Sequence, residues 1–315
     1  MALTYTGLSA VTTANIRSWA TDNYYDGIPL WHRLVANGRI VQHEGTQFQV
    51  PVVYRDSGQA GGFSNGGPLP TSSRVQETAA VFNHVQKQVP LVISFKENRQ
   101  NMGPEGKVKL VQLRSKLARM DLENHLGSDL FSGNQTTASD TNLDGLHFMC
   151  DDDDTPASYG GISVSDFSGW AATNTSDSGN ALTLKSIQGW IGDVTIGNER
   201  PTVIVTTQNI FDKIWKLLQA DQRFAPAVKG SAGHVYLEVS GIPVFVDANC
   251  QSQTMYILNE KYIWFYEEPN YSMHFTGFQK PENSLDLTGH LIHICQLATD
   301  NRRMHHRIDS IDPSL

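Results

Sequence analysis

The spacing of hydrophobic positions changes from one segment of this chain to the next, and each change marks an element. From residue 1 to 42 no long period holds: Asn15 to Asp26 has helical character, but Gly27, Pro29 and Gly38 interrupt it. Tyr24, Tyr25, Trp31 and Leu34 are large apolar groups without an element to carry them, so this stretch reads as an arm that needs another surface. From residue 43 to 97 the pattern alternates. Phe48, Val50, Val52 and Tyr54 share one parity, then SGQAGGFSNGGPLP breaks the run, and Arg74 to Phe95 is again strand-like. The pattern predicts a two-stranded ribbon with a Gly-rich tip, which alone is marginal in water.

The strongest helical signal runs from Pro104 to Phe131. Proline suits a first helical position, and Ser132-Gly133-Asn134 stops the helix. Leu110, Leu113, Leu117 and Met120 form a stripe expected to carry its packing, which drifts to Leu122, Leu126 and Leu130. At 1.5 Å per residue the helix spans about 40 Å and reads as a spine. Its charges oppose the macrodipole, with Lys107, Lys109, Arg114, Lys116 and Arg119 early and Asp121, Glu123 and Asp129 late. The basic half is therefore expected to contact other chains or nucleic acid.

Beyond Asn142 the chain reads as α/β. Thr183 is the expected N-cap of a helix carrying Leu184, Ile187, Ile191 and Val194. The clearest unit is PTVIVTTQNIFDKIWKLLQADQRF: a buried strand Val203 to Val205, then a helix with Ile210, Phe211, Ile214, Trp215 and Leu218 on one face. Ile242 to Val246 is a second apolar strand, and after Met255 the pattern alternates again through candidate antiparallel strands.

Composition sharpens this picture. The 315 residues include 24 Lys+Arg and 32 Asp+Glu, a net charge of −8, with 39% hydrophobic and 18% charged residues. Such an acidic balance excludes condensing nucleic acid or coating an anionic membrane through bulk charge. The N-terminus lacks the basic region of a signal peptide, and the apolar runs are strand-sized, so a soluble protein is expected. Cys150, Cys250 and Cys295 are too scattered for a disulfide framework or a paired-cysteine zinc site.

Candidate chemistry is thin. Asp140-x-Asn142-x-Asp144-Gly145 followed by Asp151 has calcium-loop spacing, but no helix signal follows, and a tight turn before a solvated acidic loop is the plainer reading. In His290-x-x-His293-x-Cys295 the two histidines face opposite sides of a strand, which argues against a shared metal. His305 and His306 read as a basic rim with Arg302, Arg303 and Arg307. Gly103-Pro104-Glu105-Gly106-Lys107 fails the phosphate-loop spacing, and there is no G-x-S-x-G or H-E-x-x-H. No catalytic, cofactor-binding or metal residue is assigned from sequence, and no cofactor is expected.

The order arm, ribbon, spine helix, α/β region and closing strands resembles the major capsid proteins of tailed bacteriophages, the Hong Kong 97-type fold. The segments most similar to that family are Thr202 to Phe224 leading to GIPVFVDANC, and the pair Met255 to Tyr266 and Gly289 to Ile308. The resemblance implies an α+β chain with an N-terminal arm at 1–42 and an extended E-loop at 43–97. It implies a P-domain spine helix at 98–140, an A-domain at 141–254 opened by Leu143-Asp144-Gly145-Leu146, and P-domain strands at 255–315. It further implies hexamers and pentamers that close into an icosahedral head around double-stranded DNA, held without sequence-specific binding and without a membrane. The expected place is the virion, after assembly in the host cytoplasm. Arg55 and Arg74 are candidates for inter-subunit ion pairs and Phe63 for a ribbon-tip anchor.

The arm starts near Met1 without a coiled-coil extension, so a separate scaffolding protein and an unprocessed chain are expected, with a portal and a possible decoration protein as further partners. No lysine lies between His43 and Asn83, which predicts a shell without covalent links from the ribbon. Two other readings stay open at this point. One is an encapsulin-like compartment of the same fold that houses a protein cargo; the other is a two-domain α/β enzyme whose long loop is a lid.

Overall fold

The computed structural model describes residues 29–53, 61–62, 64–67, 69, 77–100, 104–133, 141–153, 158–221, 228–229 and 235–312. The chain opens with α1 (Pro29–Ala36) and β1 (Ile40–Gln42), runs out and back through β2 (Gln47–Val53) and β3 (Glu77–Asn83), and enters β4 (Val85–Ile93). A short α2 (Phe95–Gln100) leads to the long α3 (Pro104–Ser132) and the single turn α4 (Leu146–Met149). Next come β5 (Thr173–Ser176), α5 (Leu184–Asp193), β6 (Val203–Thr206), α6 (Gln208–Asp221), β7 (Val228–Lys229), β8 (Val235–Val239) and β9 (Ile242–Val246). The C-terminal stretch supplies β10 (Met255–Leu258), β11 (Ile263–Glu267), β12 (His274–Phe275), β13 (Leu287–Thr299) and β14 (His306–Asp309).

The strands form a seven-stranded sheet in the order β5-β14-β10-β6-β9-β8-β7, a five-stranded sheet built on β13, and the two-stranded ribbon β2-β3. Strands β6 and β10 are buried at every position, the signature of a sheet covered on both faces. Their alternation explains how. Val203, Val205, Tyr256 and Leu258 face the main core, while Ile204, Met255 and Ile257 face a second core roofed by α5 and α6. Helix α5 starts where a capping box forms: Thr183 Oγ1 accepts from the Ser186 N–H, and the Thr183 N–H donates to Ser186 Oγ, both at 3.1 Å.

The terminal segment 255–315, expected as one set of closing strands, divides between the sheets. Strands β10 and β14 join the seven-stranded sheet, whereas β11, β12 and β13 build the five-stranded one with β1 and β4. The alternation of a strand does not say which sheet it joins, because pairing is decided by distant partners. Likewise the ribbon ends at Asn83; the strand-like run continues as β4, which leaves to pair with β13 from Ile93↔Leu287 to Val85↔Cys295.

The expected arm is corrected over its second half. Trp31 and Leu34 do not wait for another surface: both are buried in this chain's own core, with the Trp31 ring edge-on to Phe265 at 4.0 Å. Arg33 fastens α1 by two bonds to Glu260, at 2.6 and 2.7 Å. Strand β1 then runs parallel to β11, a partner more than two hundred residues away that local periodicity cannot reveal. Tyr24, Tyr25 and the first half of the arm lie outside the described residues.

The expected basic rim is also corrected. Arg302, His305 and His306 are fully buried and Arg307 is 5% exposed. Arg302 donates to the carbonyls of Met149 and Asp151 at 2.9 and 2.7 Å and lies over the Tyr159 ring, so its charge is spread over backbone dipoles. His305 accepts the Asn259 backbone N–H at Nδ1, which fits only a neutral ring, and burial pushes its pKa down to about 3. His293 does the same with the Met273 N–H and is pushed down to about 4 by burial.

Candidate functional site

The distinctive features of the described residues are an extended ribbon, a long helix and the surfaces they leave uncovered. All three thiols are buried, and burial pushes Cys150 up to about 12 and raises Cys250 and Cys295 as well. Among the described residues no helix is long and apolar enough to cross a membrane.

The ribbon follows from strict alternation. Along β2 Phe48, Val50 and Val52 are buried and the intervening residues exposed, and Ala80 and Phe82 answer from β3. The inner face rests on the turn at Tyr159–Gly161, where Phe82 meets Tyr159 edge-on at 5.1 Å. Gly160 is required there: its φ is +62°, and a Cβ would sit 2.8 Å from that of Ala80. At the far end Val53 is 73% exposed.

The ribbon is joined to the body at two crossings, each marked by a histidine. His43 lies between β1 and β2, and His84 is the single residue between β3 and β4. The two rings meet, with His43 Nδ1 and His84 Nε2 3.5 Å apart. Phe48 completes the neck, stacked on Tyr266 at 3.9 Å and within 5.1 Å of the His84 ring. Beside the neck opens a polar cleft of about 780 Å³, lined by Thr46, Gln47, Asn83, His84, Lys87 and Gln88 among others.

Helix α3 matches its expected start and length, but not the expected packing face. Of the stripe Leu110, Leu113, Leu117 and Met120, only Leu110 packs against the core; the others are 54%, 44% and 46% exposed. The buried side is Val111, Ser115, Ala118, Leu122 and Leu126, which lies on β4. Small residues at Ser115 and Ala118 let the helix approach the sheet closely, and the larger leucines fall on the outer face. Lys87 on β4 and Asp129 on α3 form a buried ion pair across this junction. Arg114 pairs with Glu97 at 2.7 Å toward solvent, and the buried Arg119 pairs with Glu123 at 2.7 Å.

The segment expected as a tight turn, Leu143 to Leu146, runs irregularly to Gly145 and opens α4 at Leu146; Gly145 is needed there, since a Cβ would lie 2.5 Å from the Asp129 carbonyl. Its side chains are committed to protein partners: Asn142 Oδ1 accepts from Lys87 Nζ at 3.5 Å, and Asp144 Oδ2 accepts from Gln296 Nε2 at 3.4 Å. Asp140 lies outside the described residues. Downstream, Asp151, Asp152 and Asp153 bring oxygens within 4.8 Å of one another, and Arg307 reaches Asp151 at 3.5 Å. Arg55, Phe63 and Arg74, the candidate inter-subunit contacts, lie outside the described residues.

Solved structures similar to this chain include subunits of protein shells. A chain of the cyanophage A-1(L) capsid superposes with a TM-score of 0.67, covering 87% of this chain and 90% of its own length at 18% identity. The chain has the Hong Kong 97-type fold. The SrpI encapsulin of Synechococcus elongatus PCC 7942 shares it with a TM-score of 0.58 at 12% identity, over 90% of this chain and 89% of that one. The capsid of an empty GTA particle does so at 0.57 and 13% identity, over 88% and 95%. No family model and no curated protein matches the chain. The features of this chain that stand out are the neck histidines, the buried Arg302 and the exposed helix stripe. Sequence reasoning missed the first two, and the only local signal was a histidine at each end of the ribbon.

Proposed function

We propose that this chain is the major capsid protein of a tailed double-stranded DNA phage and that it acts as a structural subunit, not as an enzyme. The observation that carries this reading is fold similarity along nearly the whole chain to a cyanophage capsid subunit. The uncovered surfaces give it a physical reason. Val53, Leu113, Leu117 and Met120 each forgo part of the roughly 1.5–3 kcal/mol that full burial gives, and closed symmetric assembly recovers it.

In this reading the ribbon within residues 43–97 acts as the E-loop, 98–140 hold the P-domain spine, 141–254 serve as the A-domain together with β10 and β14, and the rest of 255–315 returns through the P-domain. The ribbon lies over a neighbouring subunit, with Arg55, Phe63 and Arg74 at the contact, and the exposed face of α3 receives a second copy. The A-domains meet around hexamer and pentamer axes. Scaffolding, portal and decoration proteins are the partners such a head uses, and the finished particle is a virion assembled in the host cytoplasm.

The encapsulin match supports a second reading, a compartment that encloses a protein cargo. The lid-loop enzyme reading is set aside, because the ribbon seats on Tyr159–Gly161 and beside a cleft without a catalytic set. Expression with candidate scaffolding proteins, followed by negative-stain microscopy, is expected to give closed icosahedral particles. Particles isolated from the source should hold double-stranded DNA; a single co-purifying enzyme inside them would favour the compartment, and a discrete monomer would defeat both.

A further inference from the structure

The two crossings that tie the ribbon to the body form a contact whose strength must depend on protons. His43 and His84 point ring nitrogens at each other at 3.5 Å, a separation that one neutral donor and one neutral acceptor can share but two imidazolium cations cannot. Among the described residues no carboxylate bonds to either ring. Phe48 from β2 and Tyr266 from β11 face it with rings. Lys87 from β4 lines the same cleft and is held by Asp129 from α3. The Glu267 carboxylate on β11 faces Ser272 and His293, and only its backbone carbonyl meets this segment, accepting the backbone N–H of His43. Glu44, beside His43, is exposed.

We propose that the His43–His84 pair makes the ribbon neck an acid-opened hinge, closed while the two rings share a proton and released when both are charged. Burial first, and then His43, lowers the His84 pKa below its ordinary 6.5. The closed neck therefore binds fewer protons than the open one, so acidification below that value favours opening. Linkage sets the scale: the open population rises by up to about ten-fold per pH unit for each proton taken up. This is a property of the single chain and holds whether or not the capsid reading does.

The test is a distance measurement on the whole chain. Spin labels at Gln49→Cys on β2 and Gln188→Cys on α5 sit on exposed positions, and the native cysteines are buried. Pulsed electron resonance at about pH 7.5 and about pH 5 should show one distance at the higher pH and a second, reversible population at the lower. His84→Gln, which keeps a neutral polar group, should abolish the second population, and His43→Gln should do the same if the first variant does not fold. An unchanged distribution in the parent at the lower pH, or the same shift in either glutamine variant, overturns the proposal.

Discussion

The seven-stranded sheet with α5 and α6 and the ribbon with the outer face of α3 treat their apolar residues in opposite ways. In the first, every position of β6 and β10 is buried, and Ile187, Ile210 and Ile214 close the second core with no exposure. In the second, a helix as regular as any in the molecule keeps Leu113, Leu117 and Met120 in solvent, and Val53 stands out at the end of β2. The difference teaches that one chain can close part of its core completely while it leaves apolar side chains uncovered elsewhere.

Substitutions should separate the two regions sharply. Ile257→Ala, in the closed core, should cost about 2–5 kcal/mol, read as the shift of the denaturant midpoint at constant slope. Acidification should come next. His305 and His293 are held neutral when folded, with pKa values of about 3 and about 4, so the unfolded chain binds protons that the folded chain refuses. Stability should be flat with respect to these groups above pH 6.5 and fall below it by about 1.4 kcal/mol per pH unit for each histidine. Replacing His305 by Asn should flatten that slope, measured by denaturation at several pH values.

Thr183→Ala removes the capping box of α5 and should cost about 1 kcal/mol, visible as a lowered melting temperature. The smallest effect should fall on the exposed stripe: Leu117→Ser should change the stability of the isolated chain by less than about 0.5 kcal/mol. A loss comparable to that of Ile257→Ala would mean that the stripe is covered within the chain, and the contrast between the regions would disappear.

What could be read from sequence follows the same division. The segment from Pro201 to Asp221 was legible because strand, cap and helix are each specified by neighbours within a few residues: Val203–Val205 and the face of Ile210, Phe211 and Ile214 appear where periodicity puts them. The limits of the spine were legible from Pro104 and Gly133, but its buried face was not. Apolar residues occupy both sides of that helix, and the side that wins carries Ser115 and Ala118, whose small size matters only once β4 is beside it. Arg302 and His305 looked like surface groups because their partners, the carbonyls near Met149 and the Asn259 N–H, lie about 150 and 46 residues away. Trp31 was assigned to a neighbour's surface for the same reason, since Phe265 is remote in sequence.

Sedimentation velocity with negative-stain imaging on the parent chain and on the triple variant Leu113→Ser, Leu117→Ser, Met120→Ser tests most directly whether that outer face belongs to a second copy. The parent should form closed particles under assembly conditions, while the variant, melting within a few degrees of the parent, should remain in small species. Closed particles from the variant, or a parent that stays monomeric at every concentration tried, would contradict it.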